Sequence, residues 1–220
     1  MKVWLIIPAY NEAQGLDKLL DQLKAKNLPV LVVDDGSQDA TYEVAKKKAT
    51  LAISHSKNLG KGLSLNKGIS HLLANEQFDY IIVMDADGQH APEDLGRFLK
   101  QAEAGADFVV GNRMEDPRGM PLIRVITNKL MSWFISKLTG QYIPDTQCGF
   151  RMIKREVLEK IDIKTKKFEI ESEILIKAAR LKFIINSIPI RSIYFDNPQS
   201  KISPLRDTLR FVKFISKIEK

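Results

Sequence analysis

One cysteine, Cys148, stands in 220 residues, so no disulfide can form within the chain and a reducing compartment is the expected setting. Its neighbours, "QCGF", bring no histidine partner motif, and a packed structural thiol is the expectation. Long hydrophobic runs are missing as well. No segment reaches the ~20 apolar residues needed to cross a bilayer. The N-terminus, "MKVWLIIP", enters a strand at once, without a cleavage site or the apolar stretch of a signal peptide. These absences predict a protein that is soluble or lies on a membrane surface. There is no low-complexity run, no fixed-period repeat and no obvious linker. Aromatic residues are not interleaved with basic ones in any nucleic-acid pattern, so DNA and RNA are set aside as partners.

What is present is ordinary in kind and uneven in charge. The chain is 44% hydrophobic and 28% charged, enough to bury a sizeable core. A formal net charge of +7 and a pI near 9.3 suit phosphate-bearing substrates or an anionic lipid surface.

Apolar runs alternate with helically spaced ones. "VWLII" reads as a buried strand stopped by Pro8, and Leu16, Leu19, Leu20 and Leu23 follow at helix spacing. "VLVV" is a second strand ending at Asp34 and Asp35, with Asp39 or Thr41 capping the next helix. "LAIS", "YIIVM" and "FVVG" continue the strands, with helices from about Lys61 to Ala74 and over "PEDLGRFLKQAEAG". This alternation predicts an α/β fold with a mostly parallel sheet covered by helices on both faces. Ligands collect beyond the carboxyl ends of such strands, where Pro8, Tyr10, Asn11 and Glu12, the Asp34–Asp35 pair, Asp85 and Asp87, and Asn112 and Arg113 all fall. After Arg113 the texture changes. "IRVITNKLMSWFISKLTG" is a helix with a broad apolar face, "DTQCGFRMI" a turn and short strand, "ESEILIKAARL" a helix and "IINSIPIRSIYF" extended. "PLRDTLRFVKFISKIEK" reads as a basic terminal helix. The expected organisation is one domain over residues 1–220, with a nucleotide-binding half (about 1–113) and an acceptor-side half (about 114–220).

"YIIVMDADGQH" carries the chemistry. Extended side chains alternate, so Asp85 and Asp87 project the same way, and two anions that close call for a cation. An EF-hand is excluded, because Gly88 falls too early and Gly96 stands where the bidentate Glu belongs. A hard divalent ion sharing its oxygens with substrate phosphates fits better, with Gln89 or His90 completing or orienting the site. "NLGKGLSLNKG" lacks both the Walker spacing and G-x-G-x-x-G. Its glycines read as a tight turn and Lys61 as a solvated lysine.

Taken together, "IIPAYNE", "VVDDGSQDAT", "NLGKG", "DADGQH", "VVGNR", "DTQCGFR" and "PI...SK" resemble, in order and spacing, the inverting family-two glycosyltransferases of GT-A fold, especially the dolichol- or polyprenyl-phosphate sugar synthases. The resemblance implies a Rossmann-like GT-A domain. It implies that Pro8, Tyr10 and Glu12 line a nucleoside pocket, that Asp35 and the Val33 backbone hold base or ribose, and that Asp85, Ala86 and Asp87 approach the diphosphate. Asp85, Asp87 and Gln89 would surround Mg²⁺ or Mn²⁺, and Arg113 and Lys201 would counter phosphate charge. In the acceptor half, Arg124 and Asn128 lie one helical turn apart and share a face, and would grip a lipid-linked phosphate.

A polyprenyl phosphate is already anionic and needs only positioning. A saccharide hydroxyl would need a base, for which Asp145 is the candidate, a turn residue being the equal alternative. A catalytically silent sugar-nucleotide-binding subunit is the third reading. A lipid acceptor also implies peripheral contact with the cytoplasmic membrane face. Leu130, Trp133, Phe134 and Leu138 have helical spacing beside Lys129 and Lys137, as do Phe211, Phe214, Ile215 and Ile218 beside Arg210, Lys213 and Lys217. Packing into the core is the alternative, and the commoner fate of such faces.

Overall fold

A computed structural model describes residues 1–163 and 169–193. The chain runs β1 (Val3–Ala9), α1 (Ala13–Lys24), β2 (Val30–Asp34), α2 (Thr41–Lys48), β3 (Leu51–Ser54), α3 (Lys61–Asn75) and β4 (Tyr80–Val83). A 3-10 turn at Pro92–Asp94 leads into α4 (Leu95–Glu103) and β5 (Phe108–Asn112). Then come α5 (Leu122–Thr139), β6 (Arg151–Lys154), α6 (Arg155–Lys160), α7 (Glu169–Arg180) and β7 (Ile185–Pro189). Lys201 and the terminal stretch carrying Phe211, Phe214, Ile215 and Ile218 lie outside the described residues.

The strands form one sheet in the order β3-β2-β1-β4-β6-β5-β7. Every neighbouring pair is parallel except those of β6, which runs antiparallel to both β4 and β5. The sheet is therefore mostly parallel, as the alternation predicts. Strands β1, β2 and β4 are buried along their whole length, which is why their sequences are continuous apolar runs. Leu16, Leu19, Leu20 and Leu23 all turn inward from α1. The C-terminal half does not stand apart, because β6 is inserted between β4 and β5 and β7 pairs with β5.

Two local expectations are corrected. Pro8 does not stop β1, which continues to Ala9 with Pro8 opposite Val33 of β2. Leu5 N–H donates to Pro29 O on the β2 side, so alternation turns the Pro8 nitrogen towards β4. There the pairing has already ended at Ile6 and Val83, and a missing donor costs nothing. Helix α2 begins at Thr41 behind Ala40 and carries no side-chain cap. Asp39 still accepts from Thr41 N, but it also accepts from Ala13 N at the start of α1, so it ties two helix starts together.

Candidate active site

The carboxyl ends of β1, β2 and β4 converge on one rim, and hydrogen bonds between their loops set its shape. Asn11 has a left-handed backbone (φ 52°), which Asn tolerates better than most residues. From there its N–H donates to Ser37 Oγ at 2.9 Å, and its Oδ1 accepts from Gln38 N at 2.8 Å. Glu12 N donates to Thr41 Oγ1 at 2.9 Å. Pro8 and Val33 are buried in the adjoining strands, while Tyr10 and Glu12 are partly exposed on this rim.

Asp35 is buried, and its two carboxylate oxygens accept from Leu59 N at 2.9 Å and Gly60 N at 2.7 Å. It pins the loop that opens α3. The next residue is Lys61, and here the reading of a solvated lysine is corrected. Lys61 Nζ lies 2.7 Å from Asp85 Oδ1 and 2.8 Å from Glu171 Oε1. Burial works against the ammonium, but Asp85 and Glu171 outweigh it and hold the Lys61 pKa above its ordinary value. Burial likewise opposes ionisation of Asp85, and Lys61 overcomes it, so Asp85 is held below the usual carboxylate range.

Asp87 is in the opposite state. Burial, then the negative charge of Asp85, raise its pKa to about 6, although Gln89 N donates to its Oδ1 at 3.0 Å. His90 orients the turn. It is buried, stacks on Phe150 at 5.0 Å, and its Nδ1 accepts from Asp85 N at 3.2 Å. Burial lowers its pKa to about 4, so the ring is neutral at pH 7. Ala86 is buried beneath the turn. Gly15 of α1 backs directly onto it, since a Cβ there would meet Ala86 O at 2.9 Å.

No group of three or more His, Cys, Asp or Glu side chains poised for a metal exists among the described residues. Asp85 and Asp87 nevertheless fit a hard divalent ion that draws its other ligands from a substrate. The donors are oxygens, and the charge of Asp85, after burial, works against ionisation of Asp87, an opposition that a cation shared by the two would relieve.

The acceptor-side residues meet around "DTQCGFR". Asp145 is buried and accepts from Arg113 N at 3.0 Å, Arg113 Nε at 2.7 Å, Arg113 Nη2 at 2.9 Å and Gln147 N at 3.3 Å. Four donors fill the lone-pair sites of a carboxylate. Of the two expectations for Asp145, the geometry shows the turn residue, which orients Arg113 and closes the turn. From the other side Arg151, buried, donates to Cys148 O and Thr146 O at 2.7 Å each and to Glu171 O at 2.5 Å. Cys148 is buried, and burial pushes its pKa up to about 12, as a packed structural thiol requires. Gly149 leaves room for the Asp85–Lys61 pair, because a Cβ there would lie 2.7 Å from Asp85 Oδ2 and 3.0 Å from Lys61 Nζ and would push the two side chains aside.

Helix α5 has two opposed faces. Ser132 Oγ accepts from Thr146 N at 2.9 Å and Ser136 Oγ from Ile143 N at 2.9 Å, which seats one face on the 143–146 segment. Arg124 and Asn128 continue that row at i, i+4 spacing and are partly buried. The other face is open. Leu122 is 74% exposed, Ile126 54%, Leu130 58% and Trp133 58%. Of the two alternatives for this face, Leu130, Trp133 and Phe134 stand outside the core, while Leu138 packs against it. No helix among the described residues is long and apolar enough to cross a membrane.

Sequence alone pointed to Asp85, Asp87 and the β-strand tips. It missed Lys61, Glu171, Arg151 and Gly149, whose partnerships span the chain.

The model for "Glycosyl transferase family 2" matches residues 4–162. The chain is 31% identical over 216 residues to the UDP-N-acetylglucosamine–dolichyl-phosphate N-acetylglucosaminyltransferase of Methanococcus voltae, covering 87% of this chain and 86% of that one. It is 32% identical over 200 residues to the polyprenol monophosphomannose synthase of Mycolicibacterium smegmatis, covering 84% and 75%. Among solved structures, the Mycobacterium tuberculosis glucosyl-3-phosphoglycerate synthase, crystallised with Mn²⁺, UDP and its product, superposes with a TM-score of 0.72 at 17% identity, over 96% of this chain and 76% of that one. The shared architecture is the GT-A fold.

Proposed function

The chain belongs to glycosyl transferase family 2, and on that premise we propose that it transfers a sugar, with inversion, from a nucleotide-sugar donor to a polyprenyl-type phosphate. Its relatives' names support the acceptor class, and the donor pocket is the rim of Pro8, Tyr10, Glu12, Val33 and Asp35. Asp85 and Asp87, with Gln89, would hold Mg²⁺ or Mn²⁺, and Ala86 would approach the diphosphate. When bound, the metal supplies positive charge for the diphosphate as the anomeric bond breaks. Arg113, aimed by Asp145, adds charge to the same end of the site, with Lys201 as a further candidate from outside the described residues.

Two-faced α5 carries the acceptor reading. Its inner row offers Arg124 and Asn128 to a phosphate, and its outer row offers exposed Leu122, Ile126, Leu130 and Trp133 to a bilayer interface. A phosphate nucleophile needs no base, and Asp145, with four N–H donors already on it, leaves none for a hydroxyl acceptor. The chain then works as a peripheral protein on the cytoplasmic membrane face.

The test is to incubate purified protein with a short polyprenyl phosphate, Mn²⁺ or Mg²⁺ and a panel of labelled nucleotide sugars. Label is expected in the organic extract and is expected to vanish with EDTA or with Arg124→Ala. Label passing only to a water-soluble saccharide would overturn the acceptor assignment.

A further inference from the structure

Lys61 sits where a catalytic metal's positive charge is needed. Its Nζ bridges Asp85 Oδ1 at 2.7 Å and Glu171 Oε1 at 2.8 Å, and Glu171 Oε2 lies 3.8 Å from Arg151 Nη2. The pair is closely bordered. A Cβ added at Gly149 would lie 2.7 Å from Asp85 Oδ2 and 3.0 Å from Lys61 Nζ, and Asp35 fixes the loop that delivers Lys61 through Leu59 N and Gly60 N. A solvated surface lysine has neither constraint.

We propose that Lys61 is a positioning residue that makes metal binding depend on the donor, by neutralising Asp85 until a nucleotide diphosphate arrives. The inference rests on the metal reading given above. With Asp85 engaged by Lys61, Asp87 is the other carboxylate of the pair, and a divalent ion needs six or more oxygens. The ion is therefore held weakly without the diphosphate. When the diphosphate brings its own oxygens and negative charge, Asp85 shares its field between lysine and metal. Lys61 meanwhile keeps its contact with Glu171 on α7, so the donor carboxylate and the C-terminal half remain tied. The device prevents the protein from collecting free metal in an unproductive state.

The probe is Mn²⁺, titrated calorimetrically into the purified full chain alone and with UDP or GDP. Wild type is expected to bind Mn²⁺ weakly alone and more tightly with one of the nucleotides. Lys61→Met keeps the length of the stem and removes the charge. It is expected to bind Mn²⁺ alone about tenfold tighter or more, because a unit charge a few Å from the ion is removed from a partly buried site. Lys61→Arg, which keeps the charge, is expected to follow wild type. Should Lys61→Met fail to fold, the double variant Lys61→Met/Glu171→Gln removes one anion along with the cation, and is expected to show the same donor-free gain. A folded Lys61→Met or double variant that binds Mn²⁺ alone no tighter than wild type overturns the role of Lys61, provided wild type responds to nucleotide. Wild type that binds no Mn²⁺ even with either nucleotide overturns the metal reading, and this inference with it.

Discussion

Asp87 is the carboxylate of the donor-free site whose pKa is pushed up rather than down. Its folded pKa, about 6, exceeds the ordinary 3.8 because of burial and Asp85. The folded state thus holds this proton more tightly than the unfolded chain. That preference stabilises the fold fully below about pH 3.8 and is lost as pH rises through about 6. In EDTA, Asp87→Asn is expected to melt above wild type at pH 8, by a smaller margin at pH 5 and with convergence only below about pH 3.8, and to lose the rise in Tm that metal with nucleotide gives wild type. Equal melting curves for the two proteins at pH 8 would contradict this assignment of charge. Asp145→Asn is expected to behave otherwise. Breaking a buried pair costs about 3–5 kcal/mol, so urea unfolding should shift strongly, and transfer should fall without any change in the acidic limb of the pH–rate profile. Loss of that limb in a folded variant would restore Asp145 as a base. Cys148, with its thiol pushed up to about 12, is expected to resist iodoacetamide at pH 8 and to react once guanidinium unfolds the chain. At this scale the sequence was legible wherever neighbours in sequence are neighbours in space. Asp85 and Asp87 declared themselves as two carboxylates one residue apart behind an apolar strand, although β4 ends at Val83 and they lie in the loop and turn beyond it, not on an extended strand end. Lys61 did not, since its partners arrive from β4 and α7, and no local spacing distinguishes a bridged lysine from a solvated one.

Helix α5 marks the same boundary for elements. Its existence was readable from apolar spacing, and in the fold it ends at Gly140, which takes the left-handed C-cap at φ 70°. Which face is buried was not readable, because apolar residues occupy most of its circumference. Tertiary neighbours decide the matter: Ser132 and Ser136 are drawn inward by Thr146 and Ile143, leaving Leu130 and Trp133 outside. Ser132 thus faces in beside buried Ile135, and several large apolar residues are left outside, more than the usual surface helix exposes. Leu130→Ser with Trp133→Ser is expected to leave Tm nearly unchanged, as exposed substitutions do. The same pair is expected to weaken partitioning onto anionic vesicles by about tenfold or more, since each large apolar side chain contributes about 1.5–3 kcal/mol when buried. Undiminished sedimentation with vesicles would remove α5 from the contact surface.

For the whole molecule, the sheet order decides how the two halves relate. A division near Arg113 was natural in the sequence, where the βα rhythm stops. The fold crosses that division, because β6 pairs with both β4 and β5 and β7 extends the far edge. Antiparallel insertion cannot be inferred from a short strand such as "RMIK", whose register is set by partners on either side. The expected consequence is one cooperative urea transition, with coincident midpoints by far-UV circular dichroism and by the fluorescence of buried Trp4. Two separated transitions would make the halves independent. A fragment ending at residue 113 is expected to aggregate, since it leaves the long edges of β4 and β5 unpaired.

That interleaving also limits how such a protein can be re-engineered or diversify by recombination. Exchanging C-terminal halves between relatives would demand a matched seam along two strands at once, and most chimaeras made that way should be lost. The outer row of α5 is under no such obligation. It contacts little of the core, so its composition can drift, or be grafted from another source, while the donor carboxylates stay untouched. Preference for one kind of lipid surface over another is therefore the trait this scaffold can change most cheaply.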